Sequence, residues 1–176
     1  MKTVALLLLC AFAAAAQERA RVDLADEADL HFEMGTERFR AHDYRSALEH
    51  FLLSNRLVPN RNVVFDIAET FAQLKAYPDA YRYYIQALEQ ETDEKERARI
   101  EKAIARVTAS VAVLRVRTEP PGATLYIDRK DLGARGSSPS VLAFAPGKYQ
   151  VLAELPGYEP ASSAPIDAKL GSDIDV

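Results

Sequence analysis

Apolar residues recur at helical spacing from Asp23 to Val107, and from Val111 onward the spacing shortens to every second residue. Leu30, Met34 and Phe39, with Ala28 and Gly35, mark one predicted helix, and Ala47, Leu48, Phe51 and Leu52 mark the next. Ala41-His42-Asp43-Tyr44 between them reads as the tight turn of a helical hairpin. Sliding the sequence by 33 positions repeats the pattern: Gly35 meets Ala68, Tyr44 meets Tyr77, Ala47 meets Ala80, Leu48 meets Tyr81, Phe51 meets Tyr84 and Ser54 meets Ala87. Small residues meeting small ones let antiparallel helices approach closely, while the aromatics fill the space between consecutive hairpins. The spacing predicts a helical repeat domain over 23–108, with repeats at about 28–60 and 61–92. Two repeats leave an end to cover. Helix 93–107 suits that role through its stripe of Ile100, Ala103, Ile104 and Val107, with Thr92 or Asp93 as N-cap and Asp93–Arg97 as an exposed i,i+4 pair.

The second half, 110–176, reads as strands and turns. Val111, Val113, Leu114 and Val116 alternate with Arg115 and Arg117, and Glu119-Pro120-Pro121-Gly122-Ala123 then ends the strand, because proline cannot donate to a ladder. Further strands are predicted at Thr124–Asp128, Val141–Phe144, Tyr149–Leu155 and Ala164–Leu170, punctuated by Gly133–Pro139, Pro146-Gly147 and Pro156-Gly157. The expected class is α+β: an N-terminal all-α helical-hairpin solenoid followed by a small antiparallel β-sandwich.

Both halves resemble known families. The helical half is similar to tetratricopeptide repeats, through Gly35, Tyr44, Ala47, Phe51 and Pro59 in the first unit and Ala68, Phe71, Tyr77, Ala80, Tyr84 and Ala87 in the second. Phe39 stands one place late for the first-helix aromatic, and Thr92 stands where a closing proline is usual. The other half resembles the PEGA domain of bacterial and archaeal envelope proteins. The residues that carry this are Pro120-Pro121-Gly122-Ala123, Leu125-Tyr126-Ile127-Asp128, Gly133, Ser138-Pro139, Pro146-Gly147-Lys148-Tyr149 and Gly157-Tyr158. Pro121 replaces the acid of that family's motif, and Arg129 stands at a common turn-glycine position. Only Ile174, Asp175 and Val176 remain where a final strand is expected, which reads as a chain continuing beyond this sequence.

Composition changes the picture at the N-terminus. Lys2, the thirteen apolar residues Val4–Ala16 and the small residues Ala14-Ala15-Ala16 read as a cleaved export signal over residues 1–16. Thirteen residues fall short of the ~20 that span a bilayer as a helix. Cys10 lies inside this leader, after Leu9 where a lipidation site needs a small residue, so cleavage leaves a chain without thiols. The formal charge of -4 becomes -5 once Lys2 is lost, which disfavours nucleic acid as a partner.

Signs of catalysis are missing from the sequence. His31, His42 and His50 lack the i,i+4 spacing of a zinc helix and read as surface or repeat-interface residues. Asp23, Asp26, Glu27 and Asp29 open the first helix, where they complement its dipole. Gly133-Ala134-Arg135-Gly136-Ser137-Ser138 follows a strand without opening a helix, unlike a phosphate loop. No nucleophile elbow or dinucleotide fingerprint is present, and no cofactor is expected.

Binding residues are expected instead. By the repeat resemblance, the first helix of each unit lines a concave groove. That offers Asp29, Phe32, Thr36, Phe39 and Arg40, then Asn62, Phe65, Glu69 and Gln73. Phe32 and Phe65, 33 positions apart, either anchor a peptide there or pack between helices. Phe32 and Thr36 occupy the places where chaperone-binding members carry Lys and Asn for a terminal carboxylate, so that specificity is not expected. Tyr126, Tyr149 and Tyr158 form either a sugar platform or β-domain core. The expected function is a non-enzymatic adaptor in the periplasm or at the cell surface, holding a protein partner and contacting or spacing from an envelope component. A carbohydrate- or peptidoglycan-binding surface protein and an accessory region of a larger receptor or enzyme are the alternatives.

Overall fold

The computed structural model describes residues 22–176, and the expected leader lies outside the described residues. Among these residues five helices precede eight short strands, an α+β chain. Contacts group into two compact units, one ending at Leu74 and one spanning Lys75–Val176. That division falls inside the second expected repeat rather than at residues 108–110.

The first unit holds α1 (residues 22–40), α2 (Tyr44–Leu57) and α3 (Arg61–Gln73). α1 stops at a turn in which His42 adopts φ 59 and the Asp43 amide donates back to Arg38 O at 2.9 Å. Asp43 then caps α2 by accepting from the Ser46 amide, and hydrogen bonding from the Ser46 side chain first, then from its amide, holds the Asp43 carboxyl below its ordinary value. Val58-Pro59 ends α2 because the residue before a proline is pushed out of the helical region, and the Asn60 side chain caps α3 through the Asn62 amide. The helices bury Ala28, Ala47, Phe51, Val63, Val64, Ile67 and Ala68. Gly35 is central to this packing: a Cβ there would lie 2.7 Å from the Phe51 ring, so only glycine lets that ring lie against the α1 backbone.

In the second unit α4 (Tyr77–Gln90) starts with Pro78 in its first turn, where a missing N–H costs nothing, and α5 (Glu94–Thr108) follows. Asp93 is the N-cap, accepting from the amides of Lys95 and Glu96. Arg97 donates to the carbonyls of Leu88 and Glu91, both at 2.9 Å, closing the end of α4. The expected Asp93–Arg97 pair is therefore not the main engagement of either residue. Ile100, Ala103 and Val107 are buried as their spacing predicts, and Ile104 is half-buried.

Eight strands follow: β1 (Ala112–Val116), β2 (Thr124–Ile127), β3 (Ser140–Phe144), β4 (Gly147–Tyr149), β5 (Val151–Glu154), β6 (Ala161–Ser162), β7 (Ile166–Ala168) and β8 (Asp173–Asp175). They form sheets ordered β3-β1-β8, β2-β5-β6 and β4-β7. Ala112, Leu114 and Val116 of β1, Leu125 and Ile127 of β2, Val151 and Ala153 of β5 and Ala168 of β7 share one core.

Two details differ from the sequence expectation. β8 runs parallel to β1 in an otherwise antiparallel arrangement. These are the first and last strands, so the rest of the domain supplies the long crossover that a parallel pair needs. The predicted strand Tyr149–Leu155 is two strands in different sheets, β4 and β5. The break is at Gln150, whose amide donates to Asp128 Oδ1 at 2.7 Å and whose carbonyl accepts from the Asp128 amide at 2.8 Å. Asp128 holds φ 60 to make both bonds.

Candidate functional site

A pocket of about 200 Å³ opens on the first unit, lined by Asp29 and Phe32 of α1, Ser54 of α2, Val58 of the connection, and Asn62 and Val63 of α3. Asp29, Phe32 and Asn62 of the expected groove thus meet at one place. Phe32 is half-buried and tilts against Phe51 at 5.9 Å between centroids, so one ring both packs and lines the opening. Thr36 lies one turn on and donates its hydroxyl to Phe32 O at 3.0 Å. Phe39 meets Tyr44 edge-on at 5.3 Å, and Arg40 is exposed at the end of α1. Phe65 and Glu69 are half-buried on α3 with contacts of their own, and Gln73 is exposed at its end. The lining combines the apolar Ala28, Phe32, Val58 and Val63 with the carboxylate of Asp29 and the amides of Asn60 and Asn62.

A larger pocket of about 350 Å³ lies in the second unit between α4 and the β3-β1-β8 sheet, lined by Ile85 and Glu89 on one side and Arg115, Arg117, Ser140 and Val141 on the other. Its arginines are engaged. Arg115 donates from Nε and Nη2 to the two carboxylate oxygens of Asp173, both at 2.8 Å, and Arg117 lies 3.5 Å from Asp175. The bond to Asp173 holds the Arg115 guanidinium above its ordinary value. Burial pushes the nearby Tyr81 phenol up, with Arg115 opposing and Asp173 adding to the shift.

In the β-half, Gly122 takes φ 95 in the Pro-Pro-Gly-Ala turn, a conformation that glycine adopts freely. Gly122 N donates to Ser138 O at 2.8 Å, and the buried Ser138 hydroxyl accepts from Ala123 N while contacting Thr118 Oγ1. The turn and the distant Ser138-Pro139 segment are thereby one unit. Residues 111–164 match the family model of the PEGA domain. PEGA domains are typically found in extracellular or periplasmic proteins. β7 and β8 follow the matched segment and complete two of its sheets. No curated protein matches this chain.

The three tyrosines of the PEGA domain do not act alike. Tyr149 tilts onto Phe144 at 4.8 Å and donates to Ala145 O at 2.9 Å, and burial raises its phenol above the ordinary value. Tyr126 is half-buried on β2, and Tyr158 is 61% exposed. Among the described residues no helix is long and apolar enough to cross a membrane, and no group of three or more His, Cys, Asp or Glu is placed to hold a metal ion. Linear reading missed the paired imidazoles of His31 and His50, whose Nδ1 atoms are 3.0 Å apart. Nineteen positions separate them, and they lie on the successive helices α1 and α2, so no local spacing announces the pair.

Proposed function

We propose that this chain is a non-enzymatic adaptor of the periplasm or cell surface. Its helices form tetratricopeptide-type repeats that hold a protein or peptide partner, and its PEGA domain contacts, or spaces the helices from, an envelope component. The observation that carries this reading is a backbone repeat. α2 and α4 are both 14 residues long and begin 33 positions apart, at Tyr44 and Tyr77. His42 and Lys75, also 33 apart, hold φ 59 and 60 in the turns before them. Ala47 and Ala80 are both fully buried, as are Phe51 and Tyr84 to within 2%. A sequence period that recurs in turn conformation and burial supports one evolved unit used twice. The pocket at Asp29, Phe32 and Asn62 supports partner binding on its first unit.

The test is site-specific photocrosslinking of the full chain in its native envelope. Photoreactive residues at 32 and 62 are expected to capture one partner in common, and one at the exposed Arg45 of α2 is not. Equal capture at all three positions, or none, overturns the groove reading. Retention of the chain on purified cell-wall polymer with no crosslink from 32 or 62 would favour the carbohydrate-binding alternative.

A further inference from the structure

Ser54 lines the pocket of the first unit, is only 3% exposed, and makes no side-chain hydrogen bond among the described residues. Three helical threonines behave otherwise: Thr36, Thr70 and Thr108 each return the hydroxyl to the carbonyl four residues back, at 3.0, 2.6 and 2.8 Å. No side-chain nitrogen or oxygen among the described residues is sealed from solvent without a partner, so the Ser54 hydroxyl opens onto the pocket that the residue lines. Packing does not require it. Thirty-three positions on, the second repeat fills the equivalent place with Ala87, 2% exposed. A buried hydroxyl that neither the helix nor the core uses is a group held ready for a ligand.

Resting on the groove reading above, we propose that this pocket is the socket for one lysine side chain of the partner. Its volume of about 200 Å³ is below that of sites for drug-sized ligands and suits a single side chain. At the ~30 Å³ that a water molecule takes up in the liquid, the five heavy atoms of a lysine side chain need about 150 Å³ and the seven of an arginine about 210 Å³. Charge selects a cation. From Val22 to Glu37, α1 carries six acids, Asp29 among them, and no Lys or Arg. Arg61, at the start of α3, has contacts of its own. An anion is disfavoured by Asp29 and by the Asn60 side chain, which already takes the Asn62 amide at the start of α3. The four-carbon stem lies against Phe32, Val58 and Val63. The ammonium, a compact charge with three N–H donors, meets the Asp29 carboxylate, the Ser54 hydroxyl and the amide oxygen of Asn62. Asp29 and Asn62 are exposed, so the ammonium keeps part of its water and the affinity of the socket alone is modest.

The test is titration of the nitrogen-15-labelled full chain with acetyl-lysine methylamide, followed by nuclear magnetic resonance at the backbone amides of Ser54, Asn62 and Val63. Saturable shifts are expected there at millimolar probe. The arginine counterpart should bind more weakly, and the norleucine counterpart, the same stem without the ammonium, at least about tenfold more weakly. Ser54→Ala, which copies Ala87, is expected to weaken lysine binding about threefold to tenfold, and Asp29→Asn about tenfold. Glu49→Gln removes an exposed acid of α2 outside the lining and should keep the affinity within twofold. Lack of saturation in the millimolar range, equal binding of norleucine, tighter binding of arginine, or unchanged affinity in both Ser54→Ala and Asp29→Asn overturns the proposal. Any of these together with capture of a common partner from positions 32 and 62 leaves the groove reading standing and removes only its lysine. Saturable lysine binding without such capture supports the socket and removes the groove reading instead.

Discussion

The guanidinium of Arg115 on β1 grips the carboxylate of Asp173 on β8 through two parallel 2.8 Å hydrogen bonds, across the sole parallel strand pair among the described residues. The register pairs Arg115 with Asp175 and Val113 with Asp173, so the ion pair runs diagonally and ties two steps of the ladder. Both partners are about half exposed, at 43% and 50%, and solvent screens their attraction. Asp173→Asn is therefore expected to cost no more than about 1 kcal/mol in urea unfolding, with a smaller difference at high salt. A loss that salt leaves unchanged would show that the side chain matters for strand geometry rather than charge.

Tyr81 gives the chain an alkaline limit. Its phenol lies above the ordinary value of 10.0 because burial disfavours the anion. A raised folded value means stability is complete below the unfolded value and is lost as pH rises through the folded one. Tyr81→Phe should flatten the fall in stability above pH about 10 relative to the parent. Tyr149 shifts in the same direction, so a residual slope is expected to disappear only when both are replaced. An unchanged slope in the double variant would assign alkaline unfolding to other groups.

Gly35→Ala forces a methyl group to within 2.7 Å of the Phe51 ring. Overpacking of this kind costs about 1–3 kcal/mol, partly offset by the better helix propensity of alanine, worth up to about 1 kcal/mol. The same substitution beside Phe51→Leu should cost less than the two single changes together, since the smaller side chain relieves the clash. Strict additivity would mean that the helices separate instead of sharing this contact.

Asp128 combines a left-handed backbone with a side-chain bond to the Gln150 amide. Asp128→Ala loses the acceptor and strains the backbone, with an expected cost of about 1–2 kcal/mol. Asp128→Asn keeps an acceptor and tolerates positive φ, so it should cost less. Equal losses in the two variants would remove this residue from its role in dividing β4 from β5.

Much of this fold is legible in the chain. Tyr44–Leu57 and Tyr77–Gln90 follow from apolar spacing and a 33-residue beat, and Pro59, Asn60 and Asp93 mark where helices stop or start. β1 was read as alternating because Arg115 and Arg117 interrupt its valines, yet Val111 and Val113 are also buried. The reason is tertiary: α4 packs on β3 of the same sheet and covers a face that an isolated strand would leave wet. Asp29, Phe32 and Asn62 are named as groove positions by the repeat resemblance alone, and their meeting at one pocket depends on how α1 and α3 are set against α2.

The sequence by itself determined the order of the helices, the change to strands and turns after Val111 and the cap at Asp93, because each depends on neighbours within a few residues whose spacing and φ preferences are local. Only the tertiary structure decided that Gly35 would admit Phe51, that His31 would face His50, that Gln150 would break a strand, and that β8 would lie parallel to β1. Those outcomes depend on atoms distant along the chain fitting into shared volume, and close packing is a property of the assembled interior that no linear pattern contains.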